Sequence, residues 1–352
     1  MPHLQKKTND FGAALLLMIT APLLTEVLPG ATRFSSIFVF PIEIFVWGGG
    51  ALMIRYAVRR WHLGWLNMLL LAFALALAEE CIIQQTSLAP LVIRLKGVTY
   101  ARAFGVNYVY LLWALIYEPT FVVFLSIYLV ELIFPQRRER LWISKTGFFI
   151  VIPLFLLGSL LAWFSWTHIA RTKVFKMPVY DLPLVSAIIS LAMIGALIYM
   201  ALTSFKNKAD RMLFPKAGRW LSPLRPLAPW LLGITGALWA VPLFGLVLLG
   251  FGIDPNFPPL IAIGGGFVLL WLALFFVPKW AAHQAWRHNH IYALIFGVMF
   301  GSMAIGFLGF IGSPGADLNF KIITNIIAVV LMILLGLKMG KAAETTSTSL
   351  TI

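Results

Sequence analysis

The sequence predicts an all-α, polytopic integral membrane protein of about ten transmembrane helices, and three observations predict it. Of its 352 residues, 61% are apolar and only 11% charged, whereas a soluble domain is about half apolar and about a quarter charged. The apolar residues gather in runs that match the ~20-residue helix needed to cross a bilayer. Basic residues fall mainly in alternate gaps between those runs. A membrane β-barrel is excluded, because its strands would read as alternating segments of about ten residues.

Taken in order, the apolar runs place helices at about 11–31, 36–58, 64–85, 105–134, 146–169, 180–204, 227–252, 257–278, 291–313 and 319–338. The first is expected to be a retained helix rather than a secretory signal, since Glu26 stands where a signal would carry an uncharged cleavage region. Residues 1–203 are expected to form a first membrane half that holds the intramembrane acids, and 204–226 a basic cytoplasmic loop. Residues 227–341 form a second membrane half, and 342–352 a polar, disordered tail. The outer stretch from Ser87 to Gly105 fits either an interfacial helix or an ordered loop.

With both termini cytoplasmic, most of the 27 Lys and Arg lie on that side, among them Arg59, Arg60, Arg137, Arg138, Lys206 and Lys208. Arg33, Arg94, Lys96, Arg102 and Lys321 are in the outer minority. The location implied is a plasma membrane, of bacterial inner-membrane type, crossed many times. The formal charge of +14 is thereby accounted for by helix orientation and anionic lipid. No basic run is interleaved with exposed aromatics, so nucleic acid is not an expected partner; the lipid bilayer is. A single cysteine, Cys81, excludes an intramolecular disulfide and a Cys-based zinc site.

The placement of the 13 Asp and Glu residues is the most informative feature of the chain. Glu26, Glu43, Glu79, Glu80, Glu118 and Glu131 lie within the first four spans, and no acid lies inside the last six. Ionisable groups at membrane depth are costly and mark functional pathways or structural pairs. Glu131, close to Arg137, is expected at the interface. The other five share the outer half of the membrane, counting about 1.5 Å per residue from the helix ends. They are expected to converge with Gln84 into a pocket that binds substrate or an ion. With no Lys or Arg expected at that depth, these carboxyls must be protonated, metal-bound or wet.

Pro22, Pro41 and Pro119 each lie within four residues of one of these acids. Each removes a helical hydrogen bond and frees a carbonyl about one turn earlier, and broken backbone is tolerated at membrane depth where it lines a cavity or is buried in protein. Glu79 and Glu80 point about 100° apart on a regular helix, so both reach one site only with help. Glu80 and Gln84 share a face, as do Glu79 and Thr86.

The run Glu79-Glu80-Cys81-Ile82-Ile83-Gln84 resembles the first motif of the CAAX-protease-like (CPBP) intramembrane proteases, Glu-Glu-x-x-x-Arg, with Gln84 at the arginine position. The resemblance implies a polytopic membrane hydrolase in which the pair Glu79 and Glu80, with later histidines, activates water. The second motif of that family, Phe-x-x-x-His, reads Ala114-Leu115-Ile116-Tyr117-Glu118 here; related glutamate-type membrane proteases place an acid there, which makes Glu118 a third candidate catalytic residue. The family's third motif, a histidine inside a helix, has no counterpart.

His168 is the one histidine on the side of the acids and is the candidate metal ligand or base. His283, His288 and His290 do not stack on one helical turn, which argues against zinc. The cofactor implied is a divalent metal or a coupling proton or cation. Two functional classes follow. The first is a proton- or cation-coupled transporter of a small or lipid-like substrate, because carboxylates beside broken helices are the usual site chemistry of transporters. The alternative is an intramembrane hydrolase of a peptide or lipid, with Glu79 or Glu80 as general base. A non-catalytic membrane scaffold stands behind both. Gly297, Gly301 and the run Gly264-Gly265-Gly266 are expected to let helices pack closely, and Trp61, Trp65, Trp142, Trp220 and Trp280 to anchor helix ends at the interface.

Overall fold

Ten apolar helices, which we label α1 to α10, follow one another along the chain, and nine of them among the described residues are long and apolar enough to cross a membrane. The structure, a computed structural model, describes residues 10–90, 100–204, 223–254 and 256–348. The nine are α2 (Phe34–Arg60), α3 (Trp65–Ile83), α4 (Tyr108–Ile133), α5 (Lys145–Val174), α6 (Leu184–Thr203), α7 (Pro229–Phe251), α8 (Pro259–Ala281), α9 (His288–Phe310) and the apolar part of α10 (Gly315–Lys341). The protein is thus an all-α polytopic membrane protein. The first run, α1 (Phe11–Val27), is 12 α-helical residues followed by five π-helical ones. It falls short of the ~20 residues a full span needs, because Pro29 and Gly30 end it earlier than its hydropathy suggests.

Helix α4 lies at the centre. Of its most apolar stretch 83% is buried, against 11% for α6 and 17% for α5, α8 and α10, so these four present their sides to lipid. Phe121, Val122 and Val123 of α4 are fully enclosed and form one core with Leu17 of α1, Val46 of α2 and Met68 of α3. An apolar outward face is the expected complement of a bilayer, where nothing drives apolar side chains inward.

Small residues set the closest helix crossing. A Cβ added at Gly297 of α9 would strike the backbone of Gly233 in α7, and one at Gly301 would meet Ala237. The packing expected of Gly297 and Gly301 is therefore present, and Gly265 and Gly266 lie against Leu246 and Leu112 in an unbroken α8. Gly297→Leu should force these backbones apart. The expected result is loss of the monodisperse species on gel filtration in detergent; a variant that elutes unchanged would contradict this crossing.

Several polar residues are more enclosed by protein than the sequence implies. Glu131, expected at the interface, is 4% exposed: its Oε1 accepts from Arg55 Nε at 3.2 Å and from Arg59 Nη2 at 2.9 Å. Arg55, 2% exposed, also donates to the carbonyls of Arg138 and Arg140 and lies over the Trp142 ring. Lys321, expected in an outer loop, is buried within α10, where Nζ donates to Leu28 O at 2.9 Å and Pro29 O at 3.1 Å. Arg171 is buried at the end of α5 and donates to Pro90 O. Basic side chains are therefore buried in the protein near helix ends, each satisfied by carbonyls or a carboxylate as burial requires. Trp142 and Trp280, expected near helix ends at the interface, are likewise buried against protein.

Between α3 and α4 a short hairpin pairs Arg102–Ala103 with Val106–Asn107. Phe104 and Gly105 form its two-residue loop at φ of 49° and 79°, the doubly positive combination of the hairpin turn that follows strand twist. The interfacial helix considered for this stretch falls largely on residues 91–99, outside the described residues, as do Lys6, Lys7 and most of the basic loop after Ser204. The polar tail, expected to be disordered, is helical through Thr348, since Ala342, Ala343 and Glu344 continue the run of helix formers.

The alternation of basic loops yields a direct test of orientation. Reporter fusions after Lys208 should be cytoplasmic and fusions after Asp254 extracytoplasmic. Opposite signals at both sites would invert the topology.

Candidate functional site

Each of the five outer-half glutamates sits in a π-helical turn or is the residue immediately before one. Glu26 lies in the turn Leu23–Val27, Glu43 precedes Ile44–Gly48, Glu79 and Glu80 open Glu79–Ile83, and Glu118 precedes Pro119–Leu125. Four consecutive helices therefore carry the same irregularity at the position of their acids. Proline explains two of them: Pro22 and Pro119 lack the N–H that a regular turn would use, and their rings displace a carbonyl of the preceding turn. Wide turns of this kind occur frequently at functional sites.

The π-turn also changes the angular offset between neighbours, and Glu79 and Glu80 both reach one cluster. Glu79 is within electrostatic reach of Glu80, Glu26 and Glu43. Glu118 is within reach of Glu80, Glu79 and Glu26, and Glu26 of Glu43 and Glu80. Glu43, Glu79, Glu80 and Glu118 are buried and Glu26 is half-buried. The structure thus brings together all five acids singled out by the sequence. No ion pair to Lys, Arg or His involves them among the described residues; the ion pairs found lie at Glu131, Glu139 and Asp10.

Within the cluster the hydrogen bonds are unequal. Thr32 Oγ1 donates to Glu43 Oε1 at 2.5 Å, and Ser87 Oγ to Glu80 Oε2 at 2.8 Å. The carboxyls of Glu80 and Glu118 lie close together. Glu79 is different: it is 2% exposed, and neither of its oxygens has a hydrogen-bond partner among the described residues.

Gln84, expected on the face of Glu80, is half-buried, and the partner of Glu80 is Ser87 instead. His168 bonds Thr167 Oγ1 through Nδ1 and packs against Trp163 and Phe164. No group of three or more His, Cys, Asp or Glu among the described residues is placed to hold a metal ion. His283 and His290 serve local structure, accepting from the backbone N–H of Ala285 and Arg287.

Two tyrosines belong to the site and were not singled out from the sequence. Tyr110 and Tyr117, seven residues apart on α4, lie within electrostatic reach of Glu26 and Glu118, and Tyr117 Oη donates to Thr25 O beside Glu26. Their spacing places them on one face, which is the signal that could have found them.

On the outer side the cluster is roofed by the turn that follows α3. Gln85 holds a φ of 60° there, a conformation unfavourable for a side chain with a Cβ. Asn107 of the hairpin maintains it by donating Nδ2 to Thr86 O at 3.0 Å and Ala89 O at 2.8 Å. On the other side a cavity of about 630 Å³ opens between α3, α4, α7, α8 and α9, lined by Leu69, Phe73, Ile116, Trp239 and Val298. Pro119 and Thr120 line it too, so it reaches the π-turn directly below Glu118.

The chain matches no protein-family model, no curated protein and no solved structure.

Proposed function

We propose that the protein is a proton-coupled membrane transporter of a lipid-like substrate, with Glu26, Glu43, Glu79, Glu80 and Glu118 as its coupling and binding site. The observation that carries this reading is the convergence of these carboxyls from four consecutive helices, each at a π-turn, with Glu80 and Glu118 close together and no Lys, Arg or His paired with them among the described residues. Carboxyls beside irregular helices near the middle of the membrane are the usual means of exchanging a proton for a substrate. The access on either side agrees with it. A roof built from Gln85, Thr86 and Asn107 closes one approach, while the apolar cavity comes up to Pro119, beside Glu118, from the end that carries the Arg55–Glu131 pair.

Proteoliposomes loaded with a pH dye test this directly. A panel of amphiphilic amines, alcohols and acids is added under an imposed pH gradient, and substrate-dependent proton movement is expected for at least one head-group class. Uptake without proton movement would overturn the coupling.

The closeness of the two carboxyls also favours a second reading, an intramembrane hydrolase in which one carboxyl of the Glu80–Glu118 pair activates water and the other protonates the leaving group. Cleavage of a lipidated peptide or ester, followed by mass spectrometry and lost in Glu80→Gln, would support it over transport.

A further inference from the structure

We infer that the substrate is a single-chain amphiphile with a protonated amine head, the head seated among Glu79, Glu80 and Glu118 and the chain in the apolar cavity. This rests on the transport-site reading above and names the class of molecule that site takes.

The head is argued from unmatched acceptors. Both oxygens of Glu79, Oε1 of Gln85 and Oγ1 of Thr86 are buried without a hydrogen-bond partner among the described residues, and all belong to one eight-residue stretch at the end of α3. A buried carboxyl without a donor is costly, and among the described residues no Lys, Arg or His pairs with the cluster. An alkylammonium group offers three donors and a full positive charge, and like a lysine side chain it stays charged at neutral pH. An alcohol brings one donor and no charge. An anionic head would meet only carboxyls.

The tail is argued from the face of α3. Trp65, Leu69 and Phe73 line the cavity at intervals of four residues, and Glu80 lies seven residues beyond Phe73, two turns along the same face. On α4 the cavity is lined by Pro119, the residue next to Glu118, although none of the acids lines it. A chain lying in the cavity thus comes up beside the carboxyls, its head reaching past Pro119 to meet them, and a bare metal cation would leave the cavity without a role.

Binding of 12-bromododecylamine to the purified protein in nanodiscs tests the inference, because a brominated chain in the cavity quenches Trp65 and Trp239. Saturable quenching is expected, with a half-saturation at least about tenfold below that of 12-bromododecanol, and weaker binding of the trimethylammonium analogue, which keeps the charge and loses the donors. Glu79→Gln should weaken the amine about tenfold and leave the alcohol unchanged, and Thr120→Phe should weaken both. Equal binding of amine and alcohol by the native protein would overturn the inference, and that comparison decides it even if a variant fails to fold. An amine that binds but moves without protons refutes coupling and leaves this inference standing. Proton-coupled movement of an acid or alcohol with no amine binding does the reverse.

Discussion

Glu80→Gln and Glu118→Gln are each expected to lower proton-coupled uptake by at least about 100-fold, the scale on which a positioned proton-transfer group acts. The two carboxyls lie close together, and replacing either leaves an amide that cannot take up or release the coupled proton. The double variant should be scarcely worse than either single one, because residues that act as a unit are not additive. Folding should survive: glutamine keeps a donor and an acceptor in place, and loss of a desolvated acid relieves rather than adds strain. Infrared spectra give an independent readout, with a protonated carboxyl band present in the native protein and missing in Glu80→Gln. Variants that are inactive because they no longer insert or fold would show that the acids are structural. Active variants that retain the band would remove the pair from the mechanism.

Much of this site could be read from the chain before folding, and the reason is energetic. Glu26, Glu43, Glu79, Glu80 and Glu118 stand out because acids are expensive in hydrophobic runs, and their depth follows from helix rise alone. What escaped the reading depends on departures from the regular helix or on contacts remote in sequence. A 3.6-residue period pairs Glu80 with Gln84, but the π-turn Glu79–Ile83 breaks that period, and Ser87 takes the place. Lys321 resembles an outer-loop cation until its partners are known, and those partners, the carbonyls of Leu28 and Pro29, lie almost 300 residues away. The roof hairpin was also hidden: its turn places Phe104 at positive φ, where asparagine or glycine is the usual signal. Hydropathy counted ten helices correctly as apolar runs, and it overestimated α1 because it is blind to where Pro29 stops the backbone.

At the other end of the bundle, Arg55→Ala and Glu131→Ala are each expected to destabilise the protein by about 3–5 kcal/mol, the cost of leaving one member of a buried ion pair alone. Glu131 and Arg55 are almost fully enclosed, and Arg59 adds a second bond to the same carboxylate oxygen. Arg55 further ties α2 to the α4–α5 connection through the carbonyls of Arg138 and Arg140 and its contact with Trp142. Removing it therefore strands two carbonyls and leaves the buried acid to Arg59 and Arg138 alone. The neighbouring Arg59–Glu139 pair is a control: Glu139 is 76% exposed on its side chain, and Glu139→Ala should change stability by less than about 1 kcal/mol. Thermal unfolding in detergent would rank the variants, with Arg55→Ala and Glu131→Ala lowest, Glu139→Ala near the native protein, and Glu79→Gln at or above it. The contrast separates two uses of a membrane acid. Glu131 is held by cations and is expected to fail by unfolding, whereas Glu79 is held by none and is expected to fail only in function. Equal melting temperatures for Glu131→Ala and Glu79→Gln would erase that distinction and return the outer acids to a structural role.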